Sequence, residues 1–263
     1  MRKYYFHFLT EFKGFTAYKT DFTLSIFFNM VFFIIFFLVW KSVYATAGTA
    51  EIASYSLKST VTYYLITSFI YRIEVTDSLY LGEDIWNGFF TNMLVRPWNV
   101  IASYLLSTAA DVLLSLIIFA PFLALIVIFA HDYLLITSVA NIVFFVITII
   151  IGFAMNLLIN LIIQSLTFYF GDQRANKGLA NWIISMIGGG LFPLAFLPAA
   201  LKWINVLPAR FLFDFPSRVF LGKFTITELF SSWAQMIIWI LILYFIFYLV
   251  YRGGLKRYTG VGR

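Results

Sequence analysis

Residues 101–130 read IASYLLSTAADVLLSLIIFAPFLALIVIFA, and Asp111 is the only one of these thirty that carries a formal charge. A helix of this length is about 45 Å long, which exceeds the roughly 30 Å hydrocarbon thickness of a bilayer. Because lipid offers no hydrogen-bond partners to backbone groups, such a run has to form a helix. The stretch therefore predicts a membrane-spanning helix with a kink at Pro121.

Five further apolar runs extend this prediction to the whole chain. Of the 263 residues, 62% are hydrophobic and only 11% are charged, which leaves too little polar surface for a soluble domain. The predicted fold is an all-α polytopic membrane protein, a single domain over residues 1–263 with six transmembrane helices. Besides 101–130, the predicted spans are residues 22–40, 61–80, 139–170, 179–197 and 233–251.

Lysine and arginine are distributed unevenly over this topology. Twelve of the 18 basic residues lie on the side that holds both termini, and six lie on the other side. Because cytoplasmic loops carry the excess of positive charge, both termini are predicted to be cytoplasmic. The predicted location is the cell (inner) membrane, in contact with lipid.

The residues that the sequence lacks exclude several functions. There is no cysteine and there are only two histidines, so no thiolate site or histidine-rich metal cluster is expected. The only Gly-Lys pair, Gly222-Lys223, is followed by Phe224 and lacks the first glycine of a phosphate-binding loop. No basic arm or stripe predicts nucleic-acid binding. We therefore predict no catalytic residue, no metal site and no cofactor in this chain.

Residues 1–20 precede the first span and have an amphipathic pattern. Tyr5, Phe8, Phe12 and Phe15 recur at helical spacing, with polar residues on much of the opposite face. This pattern predicts a helix lying in the cytoplasmic interface. It either anchors the chain to the membrane or also docks a partner protein.

Residues 82–97 read GEDIWNGFFTNMLVRP and lie between the second and third predicted spans. Carboxylates favour a helix N-terminus and proline ends a helix, so one short amphipathic helix is predicted. It either transmits force from a soluble subunit or lies on the surface without a partner. The residues assigned to this coupling role are Glu83, Asp84, Ile85, Trp86, Gly88, Phe89, Phe90 and Arg96.

Residues 188–224 begin with three glycines and contain four prolines in an otherwise apolar stretch. The stretch is too apolar for a solvated loop and too interrupted for one spanning helix. It predicts a pair of short re-entrant or interfacial helices on the outer side. An ordinary helix end followed by an interfacial loop is the alternative.

Ionisable residues inside the membrane are functional candidates by default. Asp111 lies ten residues into the third span, about 15 Å deep, and Arg72 lies about 12 Å from the cytoplasmic end of the second. The similar depths predict a contact between the two side chains. A salt bridge joining two spans and a proton or substrate relay both remain open.

Asn156, Asn160 and Gln164 recur every four residues in the fourth span and form one polar stripe. Such a stripe either hydrogen-bonds neighbouring helices or faces a transport pathway.

Three segments of the chain are not plain membrane spans: residues 1–20, 82–97 and 188–224. Their kind and their order along the chain resemble those of the permease subunits of type-2 ABC exporters. The chain is most similar to the bacterial and archaeal branch with a coupling segment D-I-x-x-G…L-x-x-P, here Asp84-Ile85-Trp86-Asn87-Gly88 and Leu94-Val95-Arg96-Pro97. That branch has an outer segment interrupted by glycine and proline, and the pattern here is similar, with Gly190, Pro193, Pro198, Pro208 and Pro216. Residues 253–258 resemble its basic C-terminal end.

This resemblance implies a permease that exports a hydrophobic or amphipathic substrate by alternating access. It implies two ABC ATPase subunits, which bind ATP and Mg²⁺, and a second permease subunit, identical or related. An ion-coupled secondary transporter or channel using Asp111 is the alternative, and a membrane assembly protein without transport is another.

Overall fold

The structure is a computed structural model that describes residues 19–74, 80–95, 99–171 and 174–259, without the side chains of residues 19–23, 25 and 174–177. The predicted interfacial helix, residues 1–20, lies outside these ranges except for its last two residues. Arg96 and Pro97 of the predicted coupling segment also lie outside the described residues.

Helices account for most of the described chain. In chain order they are α1 (Lys19–Ala47), α2 (Leu57–Glu74), α3 (Leu81–Trp86), α4 (Phe90–Leu94), α5 (Val100–Ala130), α6 (Val139–Ser165), α7 (Thr167–Phe170), α8 (Arg174–Ile187), α9 (Asp214–Phe220) and α10 (Ile226–Leu255). Short 3₁₀ helices cover His131–Tyr133, Leu194–Phe196, Ala199–Val206 and Pro208–Phe211.

Four of these helices are long and apolar enough to cross a bilayer: α1, α5, α6 and α10. Large apolar side chains on all four point away from the protein, for example Phe27, Ile117, Ile150 and Leu241, each more than half exposed. Exposed apolar surface on this scale is stable only where lipid replaces water. The chain is therefore a multi-pass α-helical membrane protein.

The second and fifth predicted spans have different boundaries in the structure. The described part of α2 runs from Leu57 to Glu74, so the helix begins four residues before the predicted start at 61, and Tyr80, the predicted last residue, is not helical. Residues 75–79 lie outside the described residues. α8 ends at Ile187, ten residues before the predicted end at 197. The chain leaves α8 through three glycines, and Gly189 has a φ of +86°, a conformation that favours glycine and ends the helix.

α6 lies at the centre of the bundle and packs against α10, α9, α2 and α8. The largest buried cluster surrounds it and includes Met155 of α6 and Met236 of α10. Trp233 of α10 donates from Nε1 to Thr148 Oγ1 of α6 at 2.9 Å, which pairs two polar groups in an apolar contact. α1 packs beside α2 and α5 at the edge of the bundle.

A β-hairpin interrupts the predicted all-α fold. β1 (Glu51–Ile52) pairs antiparallel with β2 (Tyr55–Ser56), with Glu51 opposite Ser56 and Ile52 opposite Tyr55. The two turn residues, Ala53 and Ser54, both have positive φ, as a tight hairpin turn requires. Neither residue is asparagine or glycine, which usually occupy such turn positions, so the sequence did not predict the hairpin. We call this end of the bundle the hairpin end.

Residues 188–224 are broken into short helices, as their prolines predicted. A buried carboxylate joins the pieces: Asp214 accepts from the backbone N–H of Leu194 at 3.0 Å and from the hydroxyl of Tyr63 at 3.1 Å. The same hydroxyl lies 2.6 Å from the carbonyl oxygen of Gly189, to which it also donates. This network ties the broken segment to α2.

Candidate functional site

The α3–α4 segment lies at the opposite end of the bundle from the hairpin. The sequence predicted one helix over residues 82–97, whereas the structure has two short helices separated at residues 87–89. Gly88 has a φ of +79°, and this left-handed conformation ends α3 before α4 begins. The prediction of a single continuous helix was therefore wrong.

The two helices turn different apolar side chains inward and outward. Ile85 is 6% exposed and Phe90 is fully buried, so both pack into the bundle. Phe89 is 59% exposed, Leu94 is 46% exposed and Val95 is 77% exposed. Among the aromatic residues assigned to the coupling role, Phe89 is therefore the one that presents most of its ring at the surface.

α3 is bonded directly to the bundle. The backbone N–H of Gly82 donates to Gln164 Oε1 of α6 at 2.9 Å. A Cβ at Gly82 would lie only 2.9 Å from Thr167 Oγ1, so the contact requires glycine. Tyr104 of α5 donates its hydroxyl to Asp84 Oδ2 at 2.5 Å. Burial raises the pKa of the Asp84 carboxyl, and the hydrogen bond from Tyr104 partly offsets this rise.

The C-terminal end of the chain also holds the segment. Tyr258 donates its hydroxyl to the carbonyl oxygen of Gly88 at 3.2 Å, and the hydroxyls of Tyr258 and Thr91 are 3.0 Å apart. The ring of Phe90 packs edge-on against Tyr258 and against Phe168 of α7, with centroid distances of 5.3 and 5.7 Å. α3 and α4 are thus connected to α5, α6, α7 and the chain terminus.

Two other predicted coupling residues, Glu83 and Trp86, lie at the edge of the contact between the α3–α4 segment and the bundle. Glu83 and Trp86 are partly exposed. The indole of Trp86 lies against Gly171, where an added Cβ would come within 3.0 Å of the ring. Sequence reasoning missed Tyr104, Phe168 and Tyr258, which hold the segment, because none of them belongs to residues 82–97.

Asn156, Asn160 and Gln164 are all buried inside the chain. Asn156 Nδ2 donates to the carbonyl oxygen of Glu74 at the end of α2, and Asn160 Nδ2 donates to Asn156 Oδ1 at 3.2 Å. Gln164 reaches Gly82 of α3. The bonds of Asn156 and Gln164 join α6 to α2 and α3, whereas that of Asn160 stays within α6, so the role of the stripe stays a prediction.

The predicted Arg72–Asp111 contact is not among the ion pairs of the described residues. Arg72 donates from Nη2 to Asn29 Oδ1 of α1 at 2.9 Å, and its guanidinium lies 5.3 Å from the ring centroid of Phe119. Phe119 lies eight residues beyond Asp111 on α5, about 12 Å along the helix. These bonds of Arg72 are to α1 and to a more distant part of α5, and its contact with Asp111 stays a prediction.

Glu74, the last described residue of α2, was not among the predicted site residues. It is 2% exposed, and neither of its carboxyl oxygens has a hydrogen-bond partner among the residues that the structure describes. Its side chain lies against Gly152 of α6, where an added Cβ would be 3.4 Å from Glu74 Oε1. An acidic residue within an apolar span was the available signal.

The fold and these contacts define a polytopic helical membrane protein with a short helical segment held at one end of its bundle. A family model described as ABC-2 family transporter protein matches residues 10–262. The chain belongs to this family, which confirms the resemblance found in the sequence. No curated protein matches it significantly.

Membership makes the chain the transmembrane permease component of an ABC transporter. The permease component is not itself the ATPase, so the family implies an ABC ATPase as a separate partner.

Proposed function

We propose that the chain is the permease of an exporter, which moves a hydrophobic or amphipathic substrate out of the cell by alternating access. ATP and Mg²⁺ are bound by the partner ATPase, and a second permease, identical or related, completes the pathway.

The proposed topology has six spans, with α2 and α8 as the two that are shorter or less apolar than the others. In this topology both termini lie in the cytoplasm, and the chain is located in the cell (inner) membrane. The twelve-to-six distribution of basic residues supports this orientation. It places the α3–α4 segment on the cytoplasmic side and the β-hairpin outside.

The observation that carries the proposal is the two-sided contact of α3 and α4. One face is bonded into the bundle through Gly82, Asp84 and Phe90. The other face presents Phe89 and Leu94 at the surface. A partner pushing on the exposed face moves α6 through Gly82–Gln164 and α5 through Asp84–Tyr104, because these bonds lie in a desolvated contact.

An aromatic anchor surrounded by partly exposed polar groups is the usual centre of a protein interface. Phe89 is that anchor, Asp84 holds the segment to α5, and Glu83 orients the ATPase through charge. Arg96 is proposed to act in the same way at the end of the segment. Ile85 and Phe90 contribute by holding the segment rather than by touching the partner.

The test is a double substitution, Phe89→Ala with Leu94→Ala, in the complex purified from membranes with its ATPase. We expect the affinity for the ATPase to fall about tenfold or more, because truncating an interface anchor costs over 1 kcal/mol. The thermal unfolding midpoint of the permease should stay unchanged, since both side chains are exposed.

The matched control is Phe129→Ala, which removes a similarly exposed ring, 77% accessible, from the hairpin end of α5. It should leave the ATPase bound. Retention of full ATPase content and full ATP turnover after the double substitution would contradict the proposed coupling surface.

A further inference from the structure

A cavity of about 440 Å³ opens at the hairpin end, far from the α3–α4 segment. It lies between the turn of the β-hairpin and the broken segment that precedes α10. Its lining includes Tyr55, Lys202, Arg210, Asp214, Arg218 and Lys223. Leu194, Ala195 and Leu197 form an apolar part of the same wall.

The cavity carries an excess of positive charge. Four of its lining residues are basic, and Asp214 is the acidic one. Just behind the wall, Glu228 pairs with Arg218, with Oε1 2.8 Å from Nη1. Four cations against two carboxylates leave two positive charges without a compensating group in the cavity.

Asp214 makes its hydrogen bonds with other groups of the protein. It is 4% exposed, and its Oδ1 accepts from Tyr63 and from the backbone of Leu194. It acts electrostatically on Arg210 and Arg218, and no ion pair joins it to Lys202 or Lys223 among the described residues.

The basic side chains retain unused donors. Arg210 gives one N–H to the carbonyl oxygen of Asn205 at 3.0 Å, and its guanidinium lies over the ring of Phe211. A guanidinium has five N–H donors, so several remain. Lys223 donates to the carbonyl oxygen of Ser54 and lies 4.4 Å from the centroid of Tyr55.

Lys202 is exposed and makes no hydrogen bond or ion pair with the residues that the structure describes. Arg210 and Lys223 are held by backbone carbonyls and aromatic rings, so little side-chain entropy remains to be lost on binding. The arrangement is a partly preorganised set of cations beside an apolar wall.

We propose that this cavity binds the phosphate of an anionic ligand. Arginine forks and lysine ammonium groups match phosphate oxygens, and a phosphate neutralises the uncompensated charge. The phosphate comes either from the headgroup of an anionic phospholipid, whose acyl chains follow the apolar wall, or from free phosphate. The inference goes beyond the proposed function, because it requires neither transport nor the ATPase.

The experiment uses the full chain in detergent and measures binding by native mass spectrometry and by the shift of the thermal unfolding midpoint. Three probes are added separately: phosphatidylglycerol, phosphatidylcholine and inorganic phosphate. The variants are Lys202→Gln and Arg210→Gln. Lys58→Gln is the matched control, because Lys58 is an exposed lysine at the same end that does not line the cavity.

We expect phosphatidylglycerol to bind more tightly than phosphatidylcholine, and each cavity variant to weaken its binding about tenfold by removing one charge-assisted contact. Lys58→Gln should bind like the unmodified protein. Because Lys202 holds nothing in place, its variant reports on binding even if Arg210→Gln fails to fold.

Competition by millimolar inorganic phosphate would assign the site to free phosphate, and binding of the lipid without such competition would assign it to the headgroup. Equal binding of both lipids with no effect of phosphate overturns the proposal. So does an equal loss of binding in Lys58→Gln and Lys202→Gln.

Discussion

Glu74 ends α2 with its carboxyl group enclosed among apolar side chains of α6 and α10. Gly152 provides the space for it, and Phe211 and Met236 line the same position. A buried carboxyl without a hydrogen-bond partner costs free energy, whichever protonation state it adopts. A residue kept at such a cost is a candidate for a role in the working cycle.

Replacement of Glu74 by methionine, which has a similar volume, should raise the free energy of unfolding by about 1–3 kcal/mol. The reason is that the substitution removes an unsatisfied polar group while it keeps the packing. Tryptophan fluorescence during thermal unfolding in detergent measures the effect.

Glu51→Met, in the exposed first strand of the hairpin, is the control and should change stability little. A loss of stability in Glu74→Met would mean that an internal water molecule or a cation satisfies the carboxyl group.

The break after α8 shows how a helix end is set by close packing. Gly188 O accepts from the backbone N–H of Asp214 at 2.9 Å, and Gly189 O accepts from Tyr63. A Cβ at Gly188 would lie 2.5 Å from the carbonyl oxygen of Ala209. The glycines thus allow the backbone of α8 to approach the broken segment directly.

Gly189→Ala should lower the free energy of unfolding by about 2 kcal/mol or more. Its φ of +86° strains an L-residue, and the added Cβ would lie 2.8 Å from Tyr63 Oη and 2.9 Å from Asp214 Cβ. Thermal unfolding with the chain in detergent tests this.

Gly178→Ala provides the comparison within the same helix. No atom lies within 4 Å of a Cβ built at Gly178, so alanine should be neutral or stabilise α8 by up to about 1 kcal/mol. If both substitutions had the same effect, the break would not depend on the packing around Gly189.

At the scale of the molecule, the two ends of the bundle differ in chemistry. The α3–α4 end is assembled from segments distant in sequence, with Tyr104 and Tyr258 holding one surface helix pair. The hairpin end contains a cavity with excess positive charge. The proposed orientation assigns the first to the cytoplasm and the second to the outside.

Cysteine labelling tests that orientation directly, because the native chain has no cysteine. With a membrane-impermeant maleimide applied to intact cells, Lys58→Cys should react and Thr259→Cys should react only after the membrane is opened. Thr16→Cys should behave like Thr259→Cys. Labelling of position 16 or 259 from outside would refute the six-span topology.

The membrane class, the long helices and the interruption at residues 188–224 were determined by the sequence alone. In lipid each helix must satisfy its own backbone, so the length of an apolar run and the position of its prolines and glycines define it locally. The family resemblance depended on the same local segments and their order, which is why it was confirmed.

Only the tertiary structure decided which side chains meet. Arg72 bonds Asn29 of α1, Phe90 is buried while the adjacent Phe89 is exposed, and Tyr258 bonds to Gly88. These outcomes depend on how the helices are shifted along one another. Apolar packing in a bilayer is nearly non-directional, so no local pattern encodes that shift until the whole bundle is assembled.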